Sequence, residues 1–375
     1  MSTPTHIPLA TPDLGGHEAD YLARCVNDNW VSSAGPFVVE FENQLAALTN
    51  RRHAVATVNG TAAIHLALLA AGVMPGDRVI VPDWTFAATA NAICHAGAVP
   101  FFVDITHDNW SLDANLVAEV LDRSDHGVTA VIVVHPLGQT ADMDSLRIAA
   151  KQLPLIEDAA GAIGAKYKGQ PAGAFGDFAA FSFNGNKTVT AGGGGMVVCN
   201  CDTRAKSIRH LSTQARVGKQ YVHDTIGFNY RMTNLNAAVG LAQIERLGTM
   251  IEAKKKIASC YDAAIAGRKD LMPMPRPKWA NNSCWLYSVL TATPEAGSCL
   301  IHAMAEAGIE AREFWRSLSA QAPYSEMPNL LRGVSNSLTG RVISLPSSSH
   351  LDKSAQARVI EALGSWCGST FEFPI

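Results

Sequence analysis

Short apolar runs and small-residue helical stretches alternate through the first two hundred positions. Runs 53–58, 78–82, 99–105, 130–135 and 154–158 are rich in Val, Ile and Phe, and several are apolar at nearly every position. A strand facing solvent on one side alternates apolar with polar, so uninterrupted runs predict strands buried on both faces. Runs 178–183 and 195–200 complete a set of seven. Between them lie Ala- and Leu-rich segments, 61–71 and 85–96, long enough for helices. Strand, helix, strand at this spacing predicts an α/β layered domain with a mainly parallel sheet. A long helix is predicted over 233–266, with Leu235, Val239 and Ala242 on one face. The breaker cluster at 272–277 then marks a linker, and the rest reads as a smaller α+β unit with helices near 297–308 and 352–366. The expected division is 1–250 for the large domain and 251–375 for the small one.

Composition narrows the class. Charged residues make up 17% and apolar residues 47% of 375 positions, which excludes a disordered chain. A net charge of −3 gives no electrostatic footprint for nucleic acid. No apolar run is long enough to span a membrane, and the first residues lack the basic start and apolar core of a signal peptide. The eight cysteines form no C-x-x-C pair and no metal-type cluster, so reduced, mostly buried thiols in a cytoplasmic protein are expected.

One stretch, Phe181 to Met196, poses the chemical question. Lys187 stands before four glycines, Gly192 to Gly195. A phosphate-cradling P-loop needs its glycines ahead of the lysine, so that the backbone wraps the phosphates before the helix begins. Here they follow it, and the apolar β-branched run after them reads as a strand. Lys187 therefore sits in a turn between two strands. It is either a surface lysine or one placed for covalent chemistry.

Four other pieces bear on that choice, each with an ordinary structural reading as well. Asn59, Gly60 and Thr61 open a helix directly after a strand, where unpartnered N–H groups attract an anion and Gly60 lets it come close. Trp84 lies just beyond run 78–82, where an α/β sheet places ligands and a flat ring could be stacked. Asp158 ends an apolar strand; a buried carboxylate needs a partner, and a protonated ring nitrogen would serve. Residues 227–234 are rich in side-chain donors that could reach a phosphate or merely cap a helix. An anion seat, a stacking face, a carboxylate and a lysine together suit pyridoxal 5′-phosphate (PLP).

With these stretches the chain resembles the DegT/StrS-type aminotransferases. The matching segments are Trp30 to Gly35 with Glu40 to Glu42, Val58 to Ala63, Asp83 to Phe86, Glu157 to Ala160, Phe181 to Lys187 and Gly227 to Arg231. The resemblance implies PLP fold type I, aspartate aminotransferase-like: a large domain with a mixed, mainly parallel seven-stranded sheet plus a smaller α+β C-terminal domain. It implies that Lys187 carries the cofactor covalently, Asp158 meets the pyridine nitrogen, Trp84 stacks on the ring, and Gly60, Thr61 and Ser182 hold the phosphate. Asn229 would reach the phosphate of a second subunit, implying a homodimer with shared active sites. Arg216, Arg231, Trp30 and Ser32 are candidates for substrate contact. The implied reaction moves an amino group from L-glutamate to a nucleotide-linked 4-keto-6-deoxy sugar, giving a 4-amino sugar for surface polysaccharide or glycan synthesis. Asn184 to Lys187, Ser212 to Arg216 and His223 to Asn229 look most like the UDP-linked legionaminic or bacillosamine branch. A GDP-perosamine-type 4-aminotransferase and a sugar dehydratase of the same family are the alternatives, and a lysine at 187 disfavours the second. Two positions depart from the family pattern. Gly161 stands where many members carry Gln, Glu or His, and Ser319 where many carry His.

Overall fold

The computed structural model describes residues 6–371. All seven expected strands are present: β1 (His53–Thr57), β2 (Arg78–Pro82), β3 (Val99–Val103), β4 (Val128–Val134), β5 (Leu155–Asp158), β6 (Phe178–Ser182) and β7 (Gly195–Cys199). They form one sheet in the order β1-β7-β6-β5-β4-β2-β3. Only β7 runs against the others, pairing antiparallel with both β1 and β6. An eighth strand, Asn329–Leu330, comes from the C-terminal region and adds parallel to β3. Seven strands were expected; a two-residue strand has no periodicity to read. It is fixed by a tertiary contact, because the buried Asp104 carboxylate accepts the backbone N–H groups of Arg332, Val334 and Ser335 at 2.7, 3.0 and 2.7 Å.

The apolar runs are explained by helices on both faces. Val55, Phe178, Ala180 and Val197 pack with Ile64, Leu66 and Leu68 of the Gly60–Ala71 helix. Their neighbours Ala54, Ala56, Ala179, Phe181 and Val198 pack on the other side with Phe37, Phe41, Leu45, Ala237 and Leu241. Each fully buried Leu, Ile or Phe contributes about 1.5–3 kcal/mol before entropy is subtracted. The Gly60–Ala71 helix is apolar nearly all round, as a helix enclosed between layers must be.

The long helix expected over 233–266 is two, Asn234–Glu245 and Leu247–Ile265. Arg246 leaves helical geometry (φ −102°, ψ 3°) and its guanidinium pairs with Asp13 at 3.1 Å. Gly248, two residues after the break, is a local sign that the expectation of one long helix passed over. The boundary expected at 250 falls inside the second helix. Beyond it, a four-stranded antiparallel sheet in the order Leu271–Pro273, Tyr287–Thr291, Val342–Leu345, Arg312–Glu313 is covered by helices Pro294–Glu306 and Lys353–Ser365. Five of the eight cysteines (Cys94, Cys201, Cys260, Cys299 and Cys367) are exposed, which corrects the expectation of mostly buried thiols; all eight are free. Among the described residues, no helix is long and apolar enough to cross a membrane, and no His/Cys/Asp/Glu cluster could hold a metal.

Candidate active site

In an open α/β sheet the strands point their carboxyl ends at one edge, and loops leaving those ends converge. That convergence encloses a cavity of about 580 Å³, lined among others by Asn59, Gly60, Thr61, Phe86, Asp158, Ser182 and Lys187. Gly60 opens the helix after β1, with the Asn59 side chain accepting the Ala62 N–H at 2.8 Å. The Gly60 and Thr61 N–H groups precede the first helical bond. A Cβ at Gly60 would lie 2.9 Å from that of Ser182, so glycine keeps this seat open.

Asp158 ends β5 and is 5% exposed. Its carboxylate accepts the Thr89 hydroxyl at 2.7 Å and the Ala160 N–H at 3.1 Å, leaving further acceptor capacity toward the cavity. The preceding residue anchors the strand from the other face. Glu157 is fully buried, takes the N–H groups of Gly173, Phe175 and Gly176, and pairs with His135 at 2.9 Å.

Lys187 occupies the β6–β7 hairpin, closed by its N–H to the Asn184 carbonyl at 3.0 Å. The amine lies 3.4 Å from the centroid of the Trp285 ring. Burial pushes its pKa down to about 7, with the Asp158 charge acting in the opposite direction. An amine poised there is part neutral at physiological pH, as a lysine that attacks a carbonyl or shuttles protons requires. The glycine run serves the same geometry. Gly194 has φ +146°, open only to glycine, and a Cβ at Gly195 would lie 2.7 Å from the Gly60 N.

The sequence matches the DegT/DnrJ/EryC1/StrS aminotransferase family over residues 12–364. The chain belongs to this family. GDP-perosamine synthase of Escherichia coli O157:H7 is 37% identical over 364 residues, spanning 96% of this chain and 98% of that protein. The GDP-perosamine synthase of Caulobacter vibrioides is 37% identical over 373 residues, 97% and 99% of the two chains. Among solved structures, S. venezuelae DesV in complex with a ketimine intermediate superposes with TM-score 0.88 at 30% identity, over 96% of this chain and 98% of that one. A Streptococcus pneumoniae protein in its PLP form gives TM-score 0.88 at 26% identity, over 96% and 98%. This family member is a sugar aminotransferase and uses PLP. Its own residues fit the cofactor: an enclosed amine, a buried carboxylate with free acceptor capacity and a glycine-floored helix end share one cavity.

The structure thus brings Lys187, Asp158, Gly60, Thr61 and Ser182 together. Trp84 requires a correction. It is 1% exposed and does not line the cavity; its Nε1–H donates to the Trp315 carbonyl at 2.8 Å and its ring meets Trp110 and Trp315 edge-on. Its neighbour Asp83 accepts the Ser319 N–H at 2.7 Å and the Ser317 hydroxyl, so this pair straps the small domain to the sheet. Phe86, two residues on and 62% exposed, presents the aromatic ring to the cavity instead. Asn229, Arg216, Arg231, Trp30 and Ser32 are all exposed and outside the cavity. Arg216 stands over the Tyr221 ring at 5.6 Å, Arg231 donates to the Ser33 carbonyl, and the Trp30 and Ser32 carbonyls accept from Asn234. Reading the sequence missed Phe86, Thr89, Trp285 and the cavity wall from Arg312 to Trp315. Thr89 was within reach of pattern, one helical turn after Thr85 and facing the same way; the small-domain residues carry no local signal.

Proposed function

We propose that the chain transfers an amino group from L-glutamate to the 4-keto carbon of a nucleotide-linked 4-keto-6-deoxy sugar, with Lys187 as the reactive lysine. The observation that carries this is the enclosed Lys187 amine sharing a cavity with the Asp158 carboxylate. Bound PLP supplies an electrophilic aldehyde and a conjugated ring that accepts negative charge from the adjoining carbon. Asp158 holds a proton on the ring nitrogen by charge and hydrogen bonding, and Thr89 fixes the carboxylate for that task. The Gly60 and Thr61 N–H groups with the Ser182 hydroxyl bind the phosphate. The free Lys187 amine would take up the proton from the amino-bearing carbon of the donor at Nζ and later give it back, acting as base and then acid. Phe86, which lines the cavity where Trp84 does not, would offer an aromatic face to the ring.

For the nucleotide we favour GDP, the alternative, over the UDP expected from the hairpin and the 212–216 and 223–229 segments. Three GDP-perosamine synthases align over more than nine-tenths of this chain at 37–39% identity, and that similarity supports GDP. The exposed apolar side chains Tyr221, Val222 and Ile226, next to Asn229, support a homodimer completing the site. The test is turnover of matched GDP- and UDP-linked 4-keto-6-deoxy sugars with glutamate, products read by NMR. We expect a 4-amino sugar from the GDP substrate, and a Lys187→Ala variant that is colourless and inactive. Preference for the UDP sugar would overturn the nucleotide assignment; activity in Lys187→Ala would overturn the lysine's role.

A further inference from the structure

Gly161 follows Asp158 by three residues and faces an indole. A Cβ placed there would lie 2.8 Å from Cζ3 of Trp285, and closer still to Cε3. No side chain beyond hydrogen fits while Trp285 keeps its place. Trp285 is 3% exposed and firmly seated. Its Nε1–H donates to the Asn186 carbonyl at 2.8 Å. Its own carbonyl accepts from the amine of Lys254, a buried lysine that also donates to the Ser347 carbonyl. Its ring carries the Lys187 amine at 3.4 Å. The indole therefore touches the lysine turn twice, at the residue before the lysine and at the reactive nitrogen.

We propose that Trp285 is a positioning residue for Lys187 and that Gly161 is the complement that admits it. The inference rests on Lys187 being the reactive lysine. A lysine side chain has four rotatable bonds, and its free amine has no hydrogen-bond partner in the structure among the described residues. An aromatic face at cation–π distance limits where that nitrogen can go. Proton transfer demands a donor–acceptor distance near hydrogen-bond length, and small misplacements cost large factors in rate. The small domain thereby reaches the reactive lysine itself through this side chain, and a lysine turn rich in glycine gains a rigid backstop.

The test uses four variants, Trp285→Ala, Trp285→Phe, Gly161→Ala and the double Gly161→Ala/Trp285→Ala. In cofactor-free protein, acetic anhydride labelling of Lys187 is read by peptide mass spectrometry against exposed Lys206. We expect Trp285→Ala and Gly161→Ala each to raise Lys187 labelling several-fold, and the double variant to match Trp285→Ala alone. Trp285→Phe, which keeps a ring face, should stay near the native value. In the holoenzyme, Trp285→Ala should lower kcat by about tenfold or more with KM for both substrates within about threefold. Raised KM at unchanged kcat would make Trp285 a substrate wall and overturn the proposal, as would additive effects of the two single changes. Labelling does not depend on what Lys187 does chemically, so failure of the lysine's role and failure of this inference are told apart.

Discussion

A lysine amine in water keeps its proton to high pH, so an amine that exchanges protons near neutrality has to be taken out of water. Lys187 meets that condition by enclosure, which brings it to about 7 against the ordinary 10.5. The shift has a consequence for stability. Below about pH 7 folded and unfolded chains both hold the proton. Between about 7 and 10.5 the folded chain has released it and the unfolded chain retains it, so unfolding takes up a proton and stability rises with pH. In cofactor-free protein, the unfolding free energy of the native chain minus that of Lys187→Met should therefore climb by roughly 2–3 kcal/mol from pH 7 to 9. Urea titrations of both proteins measure it, and a flat difference would show that the amine is not desolvated. Lys254, brought to about 8 chiefly by burial, contributes with the same sign but is common to both proteins and cancels. Trp84 and Phe86 show the reverse lesson about aromatic rings. They are two residues apart, and the larger one is committed to packing while the smaller faces the cavity.

The β6–β7 hairpin shows how an element can be shaped by what lies under it. Its last glycine begins β7 where the strand crosses the turn after β1, and the nearest atoms are backbone, which cannot rotate aside. Gly195→Val should lose on the order of 2–4 kcal/mol of stability and much of the affinity for PLP, because the strand must lift from the Asn59–Gly60 backbone, the proposed phosphate seat. Gly193 lies in the same run with open space around its α-carbon. Gly193→Ala should change stability by less than about 0.5 kcal/mol. Thermal or urea unfolding of the two variants tests the contrast; equal losses would mean that the run is sensitive throughout. The helical break falls at Arg246, which pairs with the Asp13 carboxylate and stands two residues before Gly248.

In the whole molecule, the residues expected to contact substrate, and Asn229, expected to reach the phosphate in a second subunit, stand apart from the cavity. Arg216, Arg231, Asn229, Trp30 and Ser32 are exposed, and the loop between Val217 and Ile226 presents Tyr221 at 89% and Ile226 at 85% exposure. Apolar side chains that open to water on a loop beside expected ligand residues fit a surface covered by a second copy. Ile226→Asp should shift the protein from dimer to monomer in analytical ultracentrifugation and lower turnover at least tenfold, since burying an unpaired carboxylate in the contact is costly. A native protein that sediments as a monomer while fully active would reject this reading.

The amino-acid sequence by itself determined the layered sheet, because strands buried on both faces are apolar at most positions and that signal is local. Pattern also singled out Lys187, Asp158, Gly60 and Thr61, at or beyond strand ends where an α/β sheet gathers its loops, and the family resemblance added Ser182. Contacts between distant segments were decided only by the tertiary structure. Which of Trp84 and Phe86 faces the cavity depends on Trp315, more than two hundred residues away, and the strand at 329–330 exists because Asp104 gathers three N–H groups. The indole of Trp285 over Lys187 and the hydrogen at Gly161 form one fitted surface. Such steric complementarity has no period and no spacing along the chain, so it becomes visible only once the two domains are packed together.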